Sequence, residues 1–381
     1  MPFTEYVMAA GSWSVSLDPG TPRAIRDAID VRTAGFSQLL VLPVHVDADS
    51  LGDATMLDVA RYAGIYRRQS ASGLTLSGAG MPVVMGDEEG KGNVIETAIT
   101  TTNGYLSEWF TTLTDSASGV SPGTLTSPGG AYTRSFLRIT YREAWDILCA
   151  RFGVEYRVNP DSTLDVATVA NLYGSTPKTV VLGESAGVQA GREIDIVGVS
   201  GDVDLNIDLE DYTSKVIYLT GSTPTVTTAG GNSTIYRRTN GLGLIMDRLI
   251  EASSDDAGTP ANMAAAQLGR FNAPRIEWQV SGSGEYDIGE SSPIGSLVWL
   301  YDPATGLVDT GNPVAYRGAQ IYPSLSRLMG AETPIRAGMG VYLRTMVDET
   351  TPVYTDLTPY VIPETGAQRL SLGAPPRKSR R

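Results

Sequence analysis

The spacing of hydrophobic and polar positions changes period several times along this chain. Between residues 140 and 152, Ala144, Ile147, Leu148 and Phe152 recur at helical spacing and form one apolar stripe. Thr140 stands where an N-cap belongs, Glu143 three residues later completes a capping box, and Gly153 supplies a stop. The period then becomes two: Val154, Tyr156 and Val158 alternate with Glu155 and Arg157. Asn159-Pro160-Asp161-Ser162 is turn chemistry, and Leu164 and Val166 resume the alternation. This spacing predicts a helix feeding a two-stranded hairpin.

The same reading covers the rest of the chain. Residues 1–35 carry weak signals and are expected to form an arm. Residues 36–46 are an apolar run in which Pro43 marks an edge or bend. A short helix is predicted over 50–64, with Ser50 and Asp53 as a capping box and Gly64 as the stop, then strands at 65–68 and 74–80. A helix over 103–113 places Tyr105, Trp109 and Leu113 on one face, and 115–135 reads as a long exposed loop. Strands follow between 192 and 220. The period then returns to helical at Leu242, Ile245, Met246, Leu249 and Ile250. A second helix is expected from Pro260 to Leu268, with Thr259 as cap. Strands resume at 275–280, 296–301, 314–322 and 341–346. A helix pair at 240–270 thus interrupts a β region, and it is expected to pack on the helix–hairpin unit.

The wording of 140–166, TYREAWDILCARFGVEYRVNPDSTLDV, resembles the tail-hub proteins of long-tailed bacteriophages. Ser162 departs from it, standing where such hairpins often use glycine. Gly64-Ile65 followed by Thr75-Leu-Ser-Gly-Ala-Gly80 and an acidic glycine loop, Gly86–Gly92, is similar to the same family. The likeness spans roughly residues 30–345 by order and type of element. It implies a β-rich α+β fold, with two β-barrel tube-type domains and a mixed α/β domain made from two chain segments. The matching division is 1–100 for the first barrel, 101–175 with 236–273 for the mixed domain, and 176–235 with 274–350 for the second barrel. Residues 351–381 would be a flexible tail. By resemblance, the chain is expected to be a structural protein of the virion tail tip. It would form a homotrimeric ring that joins the tail tube to the tip, with a distal tail protein, the tape-measure protein and receptor-binding proteins as partners. Genomic DNA would pass through the ring unbound.

Composition narrows this picture. Forty-two glycines and 22 prolines among 381 residues favour a β-rich chain with many turns, and 41% hydrophobic residues suffice for cores. A formal charge of −13 argues against a nucleic-acid grip, which needs a basic patch. The one cysteine, Cys149, excludes an internal disulfide. MPFTEYVMAAG lacks the basic and apolar regions of a signal peptide, and no apolar window is long enough for a membrane span.

Candidate chemistry is sparse. Gly183-Glu184-Ser185-Ala186-Gly187 has the nucleophile-elbow pattern, but a serine hydrolase of that kind needs a later histidine, and the sole histidine, His45, precedes it. Asp202, Asp204, Asn206 and Asp208 imitate the start of a calcium loop, yet Ile207 takes the glycine position and Thr213 the bidentate one. Strict alternation instead predicts a strand with one acidic face: Asp202, Asp204, Asp208 and Glu210, which would line the channel if this strand faces it. No catalytic residue, metal ligand or cofactor is assigned. A carbohydrate-binding adhesin of the same particle is the alternative reading, and a cell-wall or ester hydrolase a more distant one. The basic end, Pro375–Arg381, reads as a solvated tail.

Overall fold

The computed structural model describes residues 3–32, 37–87, 90–115, 117–127, 129–174, 178–182, 196–199, 203–208, 213, 215–220, 223–228, 247–251, 261, 264–265, 268, 275–281, 294–301, 314–316, 319–321, 323–348, 350–366 and 368–373. The fold is β-rich with helices packed on one side. Its largest sheet has 14 strands, mostly antiparallel.

The apolar run predicted at 36–46 becomes the strand Ser37–Leu42, and all six of its residues are buried. Period two explains how: successive side chains feed opposite faces. Leu39 and Val41 enter one core with Trp13, Val15, Tyr62, Val341 and Leu343. Leu40 and Leu42 enter the other, shared with Trp109, Trp145 and Leu148 of the helices. The strand stops before Pro43, and His45 lies outside it, half exposed, with Nε2 3.0 Å from Asp356 Oδ2. One strand therefore ties the sheet to the helical layer.

The first core sits inside a curled sheet running Ser12–Ser16, Thr75–Gly80, Tyr62–Gln69, Ser37–Leu42, Gly340–Met346 and Pro352–Asp356. A lone bridge, Leu17 to Val361, links the two ends of this curl. No described sheet closes on itself as a barrel by continuous strand pairing. The barrel domains expected from the resemblance are thus not shown among the described residues.

Several local expectations change. The first 35 residues are no arm: Phe3–Tyr6 and Ser12–Ser16 pair within the large sheet, and Trp13 is buried. Gly64 does not end a helix. The helix is Asp53–Val59, and Gly64 lies in a strand where an added Cβ would sit 2.5 Å from the Trp13 ring. The supposed loop at 115–135 holds two strands, Ser121–Leu125 and Ala131–Phe136. Their Ser, Thr, Pro and Gly content hides them, because the first lies exposed at a sheet edge and makes no apolar alternation. Past residue 351, Pro352–Asp356 and Arg369–Gly373 are sheet strands, and residues 367 and 374–381 lie outside the described residues.

The stretch around 250 also differs. Asp247–Glu251 is a strand, parallel to Lys215–Thr220, and not the predicted helix. Ala261, Ala264, Ala265 and Leu268 are helical as expected. Ala264 and Leu268 pack on Val216 and Tyr218 of that small sheet, rather than on the helix–hairpin unit.

Candidate assembly site

The helix–hairpin unit takes the form its pattern dictates. Thr140 Oγ1 accepts from the Glu143 amide at 3.1 Å, and the helix runs Tyr141–Phe152. Gly153 ends it in the left-handed region, φ 67°. The buried face comprises Tyr141, Ala144, Trp145, Leu148 and Cys149, so it is broader than the predicted stripe; Ile147 and Phe152 are only partly buried. Burial pushes the Cys149 thiol well up, as suits a structural, unreactive side chain.

The hairpin pairs Glu155–Val158 with Thr163–Ala167. Asp165 holds its turn, accepting from the Thr124 amide at 2.7 Å, Asn159 Nδ2 at 2.9 Å and Arg157 Nη2 at 3.0 Å. Burial alone raises this carboxyl, but those donors outweigh it and the net shift is downward. Ser162, which departs from the family wording, carries φ 67°. That region disfavours any residue with a Cβ. Ser162→Gly is expected to stabilise the chain by up to about 1 kcal/mol, less the entropy glycine adds to the unfolded state. Urea denaturation of the two proteins checks it, and a destabilised variant contradicts it.

The unit is anchored to the sheet at three places. Tyr156 Oη donates to Met8 O at 3.0 Å, and Arg142 Nη2 reaches the same carbonyl at 3.4 Å. Met8 itself has φ 54°, so two donors hold a strained turn. Gln38 Nε2 donates to Pro160 O at 3.3 Å, while Arg344 donates to Gln38 Oε1 and clasps Asp53 with two hydrogen bonds. That Arg344 contact holds the Asp53 carboxyl below its usual range. The third anchor is Arg327 on the long strand Pro323–Thr333. It forms a bidentate pair with Glu155, donates to Gly295 O at 2.8 Å and lies 5.2 Å from the Tyr173 ring centre. Between these anchors the seam leaves a cavity of about 480 Å³.

The sequence-derived candidates are not brought together into a catalytic site. Ser185 lies outside the described residues, as do Asp202 and Glu210. Asp204 and Asp208 sit in the strand Val203–Asp208, in register opposite Gln279 and Arg275 of Arg275–Ser281. Gln279 is in turn opposite Ser371 of Arg369–Gly373, on the side of that strand away from the buried Leu370 and Leu372. In the Gly86–Gly92 loop, Asp87 already accepts from the Lys91 amide at 2.8 Å and lies 3.7 Å from Arg67. No group of His, Cys, Asp and Glu suited to a metal occurs among the described residues.

No family model matches the chain, and no curated protein does. Among solved structures it is similar to the tail protein from Neisseria meningitidis MC58, at 16% identity over 83% of this chain and 80% of that one, with a TM-score of 0.48. The prophage MuSo2 43 kDa tail protein from Shewanella oneidensis is 13% identical over 98% and 92%, TM-score 0.48. Prophage tail protein gp18 from Listeria monocytogenes EGD-e is 10% identical over 97% and 86%, TM-score 0.48. All three are tail proteins.

Proposed function

We propose that this chain is a structural tail protein of a bacteriophage, the hub whose copies form a ring between the tail tube and the tail tip. The observation that carries the reading is the unit at 140–166. Its wording resembles tail hubs, and it is docked by Tyr156, Gln38 and Glu155 onto the large sheet. In this reading the curled sheet and the strands from 178 onward are two tube-wall modules of barrel type, and three copies surround a hole. The division into domains at 100, 175, 236, 273 and 350 belongs to the proposal, as do the distal tail, tape-measure and tip partners. The chain's work is mechanical: it seals a channel and opens it.

Asp202, Asp204, Asp208 and Glu210 would face that channel and hold phosphates off the wall. The test is to assemble particles with all four changed to Asn or Gln. Gold-labelled antibody should find the variant at one end of the tail, and DNA release should slow. Label absent from the tail contradicts the structural reading, and normal release contradicts the charged wall.

A further inference from the structure

Among the described strands, Phe3–Tyr6 is the single link between the curled sheet and the strand Pro323–Thr333. Its two edges are held unequally. Toward Pro323–Thr333 all four of its residues are in register, from Phe3 opposite Thr333 to Tyr6 opposite Gly330, and the Val7 amide donates to Met329 O at 3.0 Å. Toward Ser12–Ser16 the ladder has one pair, Phe3 opposite Trp13. The Thr4 hydroxyl stands in for the next rung, donating to Ser12 O at 3.0 Å and accepting from the Ser12 amide at 2.7 Å. Phe3 is fully buried in the first core, its ring stacked 4.6 Å from that of Tyr62. The strand is a plug seated in a slot between two other strands.

A short turn ties this plug to its own chain. Tyr6 and Ala9 bridge across the turn, and the Ala9 amide reaches Tyr6 O at 3.5 Å, the long end of the range. Met8 within it has φ 54°, a conformation that strains any residue with a Cβ. Residues from Thr4 to Ala9 border the seam cavity of about 480 Å³, so packing along this flank is incomplete. A short, strained connection beside a well-filled slot favours exchange of the element between copies. The slot offers the same contacts whichever chain supplies the strand, and straightening the connection removes the strain.

We infer that copies of this chain are joined by exchange of Phe3–Tyr6, each strand seated in the next copy's slot between Pro323–Thr333 and Ser12–Ser16. The inference rests on the ring reading and deepens it by naming the segment that joins the copies. Head-to-tail exchange of this kind closes into a ring when the rotation returns to the first copy. Residues 7–11, drawn out, span at most roughly 17 Å, so the next slot must begin within that reach of Ser12. Tyr156 and Arg142, which hold the Met8 carbonyl, keep the chain closed until assembly.

Thr4 and Glu332 stand opposite each other in register and line one open hollow, where a reagent can reach both. Two full-length variants, Thr4→Cys and Glu332→Cys, are co-expressed, alone and with the neighbouring tail proteins. Their mass is measured by light scattering, and they are then treated with a short bis-maleimide and separated on a denaturing gel. The native Cys149 is buried and out of reach. Exchange predicts a linked pair holding one chain of each variant, at about one ring contact in four for equal expression, and no linked pair from either variant alone. The double variant, with both cysteines in one chain, should link chain to chain. A ring in which the double variant links only within its own chain overturns the exchange and leaves the ring standing. A mass of one chain under every condition overturns both. No link in any variant overturns the register from which the exchange starts.

Discussion

Trp145→Ala is expected to cost the chain about 3–5 kcal/mol of folding stability, the range for truncating a large buried aromatic. Trp145 is fully buried at the centre of the core that joins the sheet to the helices, 6.0 Å from the Phe110 ring in an edge-on contact. The same core draws residues from separate stretches of the chain, including Leu40, Met81, Leu106 and Leu148. A cavity there loosens both layers at once. Its indole N–H has no partner, so Trp145→Phe should cost much less. Denaturant unfolding of the three proteins measures this. A loss below about 1 kcal/mol for the alanine variant would mean that this core is not the joint we describe.

Arg327→Ala is expected to cost about 2–4 kcal/mol, mainly because it leaves Glu155 charged and nearly enclosed. The two side chains are 15% and 17% exposed, so screening by water is slight. The variant also gives up the Gly295 hydrogen bond and the contact with the Tyr173 ring. The effect should be local before it is global. Amide exchange should quicken along Glu155–Val158 while the curled sheet around Leu39 and Val41 keeps its protection. The double variant Arg327→Ala, Glu155→Gln should recover much of the loss, since it removes the stranded charge. Additive losses in that cycle would sink the pairing argument.

Much of this seam was legible beforehand. Thr140, Glu143 and Gly153 mark both ends of the helix, and the alternation from Val154 to Val166 marks the hairpin. These signals are local, so tertiary context had little to override. The anchors were invisible. Glu155 and Arg327 are far apart in the chain, and no pattern in sequence says they meet. The same holds for Met8, whose carbonyl gathers two donors from the helix–hairpin unit. Elsewhere the context prevailed. Leu249 and Ile250 fit a helical stripe, but parallel pairing with Ile217 and Tyr218 makes them strand. Ser12-Trp13-Ser14-Val15-Ser16 did alternate, and its small polar residues masked a central strand.

The ring is the claim from which the rest of the function follows, and mass in solution tests it most directly. The purified chain, alone and mixed with neighbouring tail proteins, is weighed by light scattering and then imaged by electron microscopy. Three copies around a central opening is the result this account predicts. A single compact chain at every concentration and with every neighbour, showing no opening, would contradict it.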